Sequence, residues 1–405
     1  MAGAAQPHIV LPAQGSVSAL RELGNLPPFG ALQLGFAAAL SRQLSTDPAA
    51  RRHPELVALG YWLRAAHLQR LVQAFAAAHA GQLHLPRGLV FHVAPANVDT
   101  IFVYSWLVSL LCGNRNLIRL SSRESAQTTT LLAVLGRVLA APEWHEVAAR
   151  TLVLRYGHEA EISAELSAHC DMRVVWGGDA SVRALRAFAL PPHATELAFA
   201  NKLSLCVLQA DAVAGASDEA LAKLAKAFHN DAYWFGQMAC SSPRLVFWVG
   251  AAGPVSQAAA RFWPALRQEL DARGAQIAAA DSLNKEVAVD SLAIELDGVR
   301  VTADDPRTTR AWMAQPALRD DLHCGAGLFH EARIGSLAEL LPHLTRKVQT
   351  ISHHGFETAA WQDFLRSALP AGIDRIVPVG EALDFAPVWD GFDLFASFLR
   401  QVTVR

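Results

Sequence analysis

A chain of 405 residues, 52% hydrophobic and 18% charged, is long enough for two or three domains around large buried cores. Its formal net charge of −2, with no basic tract, argues against nucleic acid as a partner. The five cysteines (Cys112, Cys170, Cys206, Cys240 and Cys324) are odd in number, scattered and never in a C-x-x-C pair, which suggests neither a disulfide framework nor a zinc site and points to reduced thiols in a cytoplasm.

The opening "MAGAAQPHIVLPAQGSVSAL" lacks the basic start and continuous apolar core of a signal peptide. The longest apolar stretch, "TIFVYSWLVSLLC" (100–112), is too short for a bilayer and reads as a buried helix. Sixteen histidines occur without an H-E-x-x-H or a close carboxylate–histidine spacing, so no metal site is expected; "SHHG" (352–355) alone does not make one.

Residues 29–82 carry helical periodicity, with Gly81 as the stop. The pattern then changes. "GLVFHVAP" (88–95) is an apolar run between turn residues, hence a buried strand. It is followed by a helix (98–112), the turn "GNRN" and a strand "LIRLS" (117–121). Next come a helix around 124–141, a strand at 150–157, a helix around 159–168 and a strand at 172–178. This alternation of helices with buried apolar strands predicts a parallel α/β sheet, read as a doubly wound nucleotide-binding domain. From 203 the alternation restarts: "LSLCVLQA", a helix to about 236, the strand "PRLVFWVG" and a helix at 253–272. The tail ends in the strand-like "QVTVR" with no helix after it, an uncovered edge that invites pairing with another chain. The expected division is a helical region at 1–85, an α/β cofactor domain at 86–203, an α/β catalytic domain at 204–390, and a C-terminal strand at 391–405 that would serve as an oligomerisation arm.

Cys240 lies in "NDAYWFGQMACSSPRLVFWVG" (230–250), wrapped in small, polar and turn-forming residues. A cysteine that fills a core needs apolar neighbours, whereas these flanks suit a reactive thiol. Gly177 and Gly178 form a turn between strand and helix, where backbone approaches a pyrophosphate and helix N–H groups face it; glycines also simply end many strands. Arg119, Ser121, Ser122 and Arg123 cluster at the end of "NLIRLSSR" and suit an adenosine ribose with its 2′-phosphate, or else a solvated strand end. Asn97, after "HVAP", is placed to donate to a developing oxyanion or to cap the following helix. The common dinucleotide fingerprint G-x-G-x-x-G and the P-loop are both absent.

Taken in order, these segments resemble the aldehyde dehydrogenase superfamily, and more closely its acyl-CoA reductase branch, the long-chain acyl reductases of bacterial bioluminescence. The resemblance runs from about Gly60 to the C-terminus, through "YWLRAAHLQRL", "GLVFHVAPANVDTIFVYSWLVSLLCGNRNLIRLSSR", "HNDAYWFGQMACSSPR", "RKVQTIS" and "GIDRIVPVGEALDFAPVWDGFDL". It implies an aldehyde dehydrogenase-like α/β fold, with a doubly wound parallel-sheet cofactor domain and an α/β catalytic domain. It also implies Cys240 as the nucleophile that takes the acyl group and Asn97 as an oxyanion-hole donor. Arg119 matches the superfamily's ribose-binding lysine, and Gly177 and Gly178 match the pyrophosphate turn. Ser122 stands where NAD-preferring members have a glutamate, which favours NADPH.

Two departures matter. The superfamily's general-base glutamate matches Glu196 in "TELAFANKLSL" only across a gap, and its nicotinamide-ribose segment has no clear counterpart. Loss of a water-activating base fits a reductive direction. The expected activity is therefore NADPH-dependent reduction of an acyl thioester, from coenzyme A or an acyl carrier protein, to an aldehyde, in a homo-oligomer. The rivals are an NAD(P)-dependent aldehyde dehydrogenase that makes a free acid, a cofactor-free cysteine acyltransferase or thioesterase using His229, and a catalytically silent scaffold subunit.

Overall fold

The structure is a computed structural model that describes residues 6–95 and 98–404. The chain divides into two units: Met1–Ala200 with Phe385–Arg405, and Asn201–Asp384. The N-terminal helices belong to the first unit, and the change of unit falls at 200/201.

In the first unit the strands are β1 (His8–Leu11), β2 (Leu83–Pro86), β3 (Leu89–Val93), β4 (Arg115–Leu120), β5 (Thr151–Arg155), β6 (Met172–Trp176) and β7 (Thr195–Phe199). Six of them form one sheet in the order β1-β5-β4-β3-β6-β7. Every pairing is parallel except that of β1 with β5. The chain starts at β3, moves outward through β4 and β5, then returns to β6 on the other side. This reversal makes the crevice beyond the carboxyl ends of β3 and β6 a topological switch point. β3 and β6 are buried along their whole length, as strands covered on both faces must be.

The helical periodicity at 55–81 is broken in two, as Pro54–Trp62 and Ala65–Ala78. The turn at Leu63–Arg64 lets the Trp62 indole donate to the Phe385 carbonyl at 2.9 Å. The tail strand spans Leu399–Val402, starting two residues before the expected segment. It pairs antiparallel with β2, in a sheet of two strands, so its own unit takes one of its edges.

The second unit contains β8 (Leu203–Gln209), β9 (Pro243–Val249), β10 (Arg300–Asp305), β11 (Thr308–Trp312), β12 (Leu328–Ile334), β13 (Val348–His354) and β14 (Arg375–Pro378). Their order is β10-β11-β12-β9-β8-β13-β14, antiparallel only between β10 and β11. Helices Asp218–Tyr233 and Ala252–Ala272 bury Phe228, Phe262 and Leu266 against Cys206, Val246, Trp248 and Phe329. On the other set of strand positions, Leu205, Phe247 and Ala332 pack with Leu292 of helix Ala279–Glu295 and with Trp361 and Phe364. Alternate residues of one strand thus enter two different cores, the consequence of a two-residue side-chain period.

Candidate active site

In the second unit, helix Asp218–Tyr233 runs into a turn where Phe235, Gly236 and Gln237 all take positive φ, at 54°, 61° and 65°. Left-handed backbone is costly for residues with a Cβ, so this turn needs outside support. Gln237 supplies it. Its fully buried side chain accepts the Gly327 N–H at 2.9 Å and donates to the carbonyls of Pro243 and Leu328, each at 2.9 Å.

A second left-handed run, Gly325–Ala326–Gly327, meets the first, with the Ala326 N–H donating to the Gly236 carbonyl at 3.0 Å. Glycine is required here: a Cβ at Gly327 would lie 2.0 Å from the Arg307 carbonyl oxygen, and one at Gly325 2.4 Å from that of Gly236. The two turns clasp one another, and the next residues of the first turn carry the thiol.

Cys240 sits in the tight turn closed by the Ser242 N–H to the Ala239 carbonyl at 3.1 Å, just before β9. It is half-buried, and its sulfur accepts a hydrogen bond from Gln349 Nε2 at 3.4 Å. Its carbonyl accepts from Ser204 Oγ at 2.7 Å. Cys112, Cys170 and Cys206 are buried instead, and burial pushes their thiols up, that of Cys170 to about 12. Cys324 is half-buried, and burial raises it too. Only thiolate is a strong nucleophile, so these four are poor candidates.

Arg244, on β9, interacts electrostatically with Cys240 and with Asp320; burial lowers its pKa and its Nε makes no hydrogen bond. His323 donates from Nε2 to the Leu328 carbonyl at 3.1 Å, while its Nδ1 accepts the Gly325 N–H at 3.3 Å, a pattern that fixes a neutral ring. Burial holds it well below the usual histidine range, and His330 down at about 4. Asp320 pairs with Lys347 at 2.9 Å. His229 is buried and stacked on Tyr233, ring centroids 5.2 Å apart, in the field of Arg273 and Glu269.

In the first unit, the sequence-derived cofactor residues lie at the carboxyl ends of β4 and β6, the strands on either side of β3. Arg119, near the end of β4, donates to the Gly157 carbonyl at 2.5 Å, and its guanidinium lies 4.8 Å from the centre of the Tyr156 ring. Its Nε makes no hydrogen bond. Ser121 Oγ accepts the Arg123 N–H at 3.2 Å, while Ser122 and Arg123 are exposed. Glu124 is ion-paired with Arg155, a neutralised carboxylate that sequence reasoning missed. Gly177 follows β6 and donates its N–H to the Phe199 carbonyl at 3.1 Å; Gly178 caps helix Asp179–Arg186. A Cβ on Gly178 would meet nothing within 4 Å, so the approach to this helix start is open. Asn97 lies outside the described residues.

Glu196, on β7, is gripped by Arg173 at 2.5 and 2.8 Å and by Arg186 at 2.7 Å. Burial raises its pKa, but the two guanidiniums outweigh this and hold the carboxyl below its usual range. It is a committed anion in a structural ion pair, not a base waiting for a water proton. Among the described residues, no group of three or more His, Cys, Asp or Glu side chains is arranged to hold a metal, and no helix is long and apolar enough to cross a membrane.

The family described as acyl-CoA reductase (LuxC) matches residues 73–294 of the chain. No curated protein matches it. Among solved structures, a lactaldehyde dehydrogenase from Escherichia coli superposes with a TM-score of 0.61 at 13% identity, over 96% of this chain and 85% of that one. A methylmalonate-semialdehyde dehydrogenase from Oceanimonas doudoroffii gives 0.65 at 13% identity, over 96% and 88%. Aldehyde dehydrogenase 21 from Physcomitrella patens, solved in complex with its reaction product succinate, gives 0.64 at 12% identity, over 95% and 86%. At such identities the likeness is one of fold: this is an aldehyde dehydrogenase-like α/β protein.

Proposed function

The chain belongs to the acyl-CoA reductase (LuxC) family, and from that premise we propose that it reduces an acyl thioester, carried on coenzyme A or an acyl carrier protein, to the aldehyde with NADPH. Family and fold together make it an oxidoreductase working at the aldehyde level. The observation that carries the finer reading is Cys240: half-buried, held in a tight turn, with an amide donor on its sulfur.

The Cys240 thiolate attacks the acyl carbonyl carbon. The backbone N–H of Cys240 and Asn97 are the proposed donors to the oxyanion. The carbon–sulfur bond to the carrier breaks, the carrier leaves as thiolate, and the acyl group stays on Cys240 as a thioester. NADPH, when bound, supplies the hydride that takes this carbonyl to the aldehyde level. The carbon–Sγ bond of the resulting hemithioacetal then breaks, releasing aldehyde and restoring the thiolate.

The residues at the strand ends fit such a cofactor. Arg119 keeps an unused Nε, Arg123 is exposed beside Ser122, and the start of helix Asp179–Arg186 is open above Gly178. Arg119 and Arg123 would hold the adenosine 2′-phosphate, with Ser121 and Ser122 on the ribose and the backbone of Gly177 and Gly178 under the pyrophosphate. The grip of two arginines on Glu196 supports reduction over acid formation, because hydrolysis of the acyl-enzyme needs a free base. The stacking of His229 on Tyr233 gives a cofactor-free thioesterase no support. We also propose a homo-oligomer, in which a partner subunit would extend the two-stranded sheet at the C-terminus.

The test is NADPH oxidation followed at 340 nm. Oxidation that depends on added acyl-CoA, with aldehyde as product, is the expected result. Free acid as product, NADP reduction by aldehyde alone, or thioester cleavage without cofactor would each overturn the reading.

A further inference from the structure

Gln349 belongs to "RKVQTIS", a segment that carries no role in the mechanism above. It lies on β13, fully buried, 109 residues from Cys240 in the chain. Its Nε2 donates to Cys240 Sγ at 3.4 Å, within the range of a hydrogen bond to sulfur. The amide's NH₂ faces the thiol, and on its other side Thr350 Oγ1 is a long donor to Gln349 Oε1 at 3.4 Å.

The spacing between the two residues is also fixed. Ser204 Oγ, on β8 between β9 and β13, donates to the Cys240 carbonyl at 2.7 Å and accepts the Thr350 N–H at 3.2 Å. Ser204 is 1% exposed, so its hydroxyl is shielded from solvent. One hydroxyl thus ties the nucleophile's backbone to the backbone beside its donor.

We propose that Gln349 is a catalytic residue that stabilises the Cys240 thiolate through its Nε2–H, with the Arg244 guanidinium as supporting charge and Ser204 as the positioning residue. This deepens the reductase reading and rests on it for the identity of the nucleophile. A neutral amide is well suited to such a role. It carries no titrating proton, so it polarises the sulfur at every working pH, and as a donor it favours the charged form. Arg244 adds a cation that does not deprotonate, its buried charge offset by Cys240 and Asp320.

The same donor acts twice. When Cys240 attacks, it raises the thiolate fraction. When the hemithioacetal collapses, sulfur departs as thiolate, and a sulfur with a lower pKa leaves faster.

The test uses the whole protein without substrate or cofactor. The rate of Cys240 alkylation by iodoacetamide is measured against pH, with the modified peptide identified by mass spectrometry. Q349E, nearly isosteric, and Q349L should each raise the apparent pKa of alkylation by about one unit or more, a tenfold fall in thiolate below that pH. The rise should be larger for Q349E, which sets a carboxylate against the sulfur. R244Q should raise it as well, and the pH profile of kcat should move by the same amount. Thermal melts and circular dichroism identify any variant that fails to fold; if Q349L does, Q349E and R244Q carry the test. Alkylation profiles that superimpose on wild type in the folded variants would overturn the proposal. They would leave thioester reduction untouched, since the alkylation readout needs neither acyl group nor NADPH.

Discussion

Ser122 and Arg123 stand exposed at the end of β4, and the nearest carboxylate in sequence, Glu124, is already paired with Arg155. A 2′-phosphate would therefore meet guanidinium donors and little net repulsion. NADPH is expected over NADH by at least about tenfold in kcat/KM, about 1.4 kcal/mol. Ser122→Glu should erase or reverse that ratio, and equal use of both cofactors by the wild type would show the segment to be misplaced. Asn97→Ala should lower kcat by about 10²–10³, the usual loss for one oxyanion donor, with little change in the KM for NADPH. The following helix starts at Ile101 with Thr100 at its N-cap, not at residue 98, so the cap role read for Asn97 falls away, and unchanged turnover in the variant would remove Asn97 from the oxyanion site. At this scale Cys240 stands out as a candidate in the sequence because its signal is local: small and polar flanks around one thiol. Gln349 does not, because only the register of β13 on β8, and of β8 on β9, brings it to the sulfur.

β3 to β6 of the first unit and β8 and β9 of the second could be read from apolar runs between turn residues, because strands covered on two faces have no polar side to confuse the pattern. β1, β2 and β7 of the first unit and β10 to β14 of the second were missed. β1 is a four-residue edge strand and β7 alternates with part-exposed positions, so neither makes an apolar run. The clasp of two left-handed turns was also illegible, since "FGQ" and "GAG" become one device only when Gln237 bridges them. A further element-scale contact is the seat of the 380–382 loop on Asp231, which accepts the N–H groups of Gly380 at 2.7 Å and Ala382 at 3.0 Å. Burial raises this carboxyl to about 7 despite those two donors. The unfolded group titrates near 3.8, so between about pH 4 and 7 the folded protein holds a proton that the unfolded chain has lost. Stability therefore falls as pH rises through that window, by up to about 1.4 kcal/mol per pH unit from this group. Above pH 7 its contribution is flat. Melting temperatures of wild type and Asp231→Asn across pH 4–8 check this: the variant should lack the decline, and parallel curves would assign the slope to other groups.

On the scale of the whole molecule, the residues proposed for the chemistry fall in two separately packed units. The thiol, its amide donor and the supporting arginine all come from Asn201–Asp384, whereas the residues proposed for the cofactor come from Met1–Ala200. Each half has its own sheet and its own buried core, so loss of a half-exposed thiol in one removes no packing from the other. Cys240→Ala should therefore abolish acyl-dependent NADPH oxidation while leaving the NADPH dissociation constant, read by fluorescence titration, within about twofold of wild type. Mass spectrometry of wild-type protein with acyl-CoA and no NADPH should find an adduct the mass of the acyl group on Cys240, and none in the variant. Turnover retained by Cys240→Ala, or an adduct on Cys324, the other half-buried thiol, would move the nucleophile elsewhere. Loss of both turnover and NADPH binding would mean that the two units do not bind and react independently.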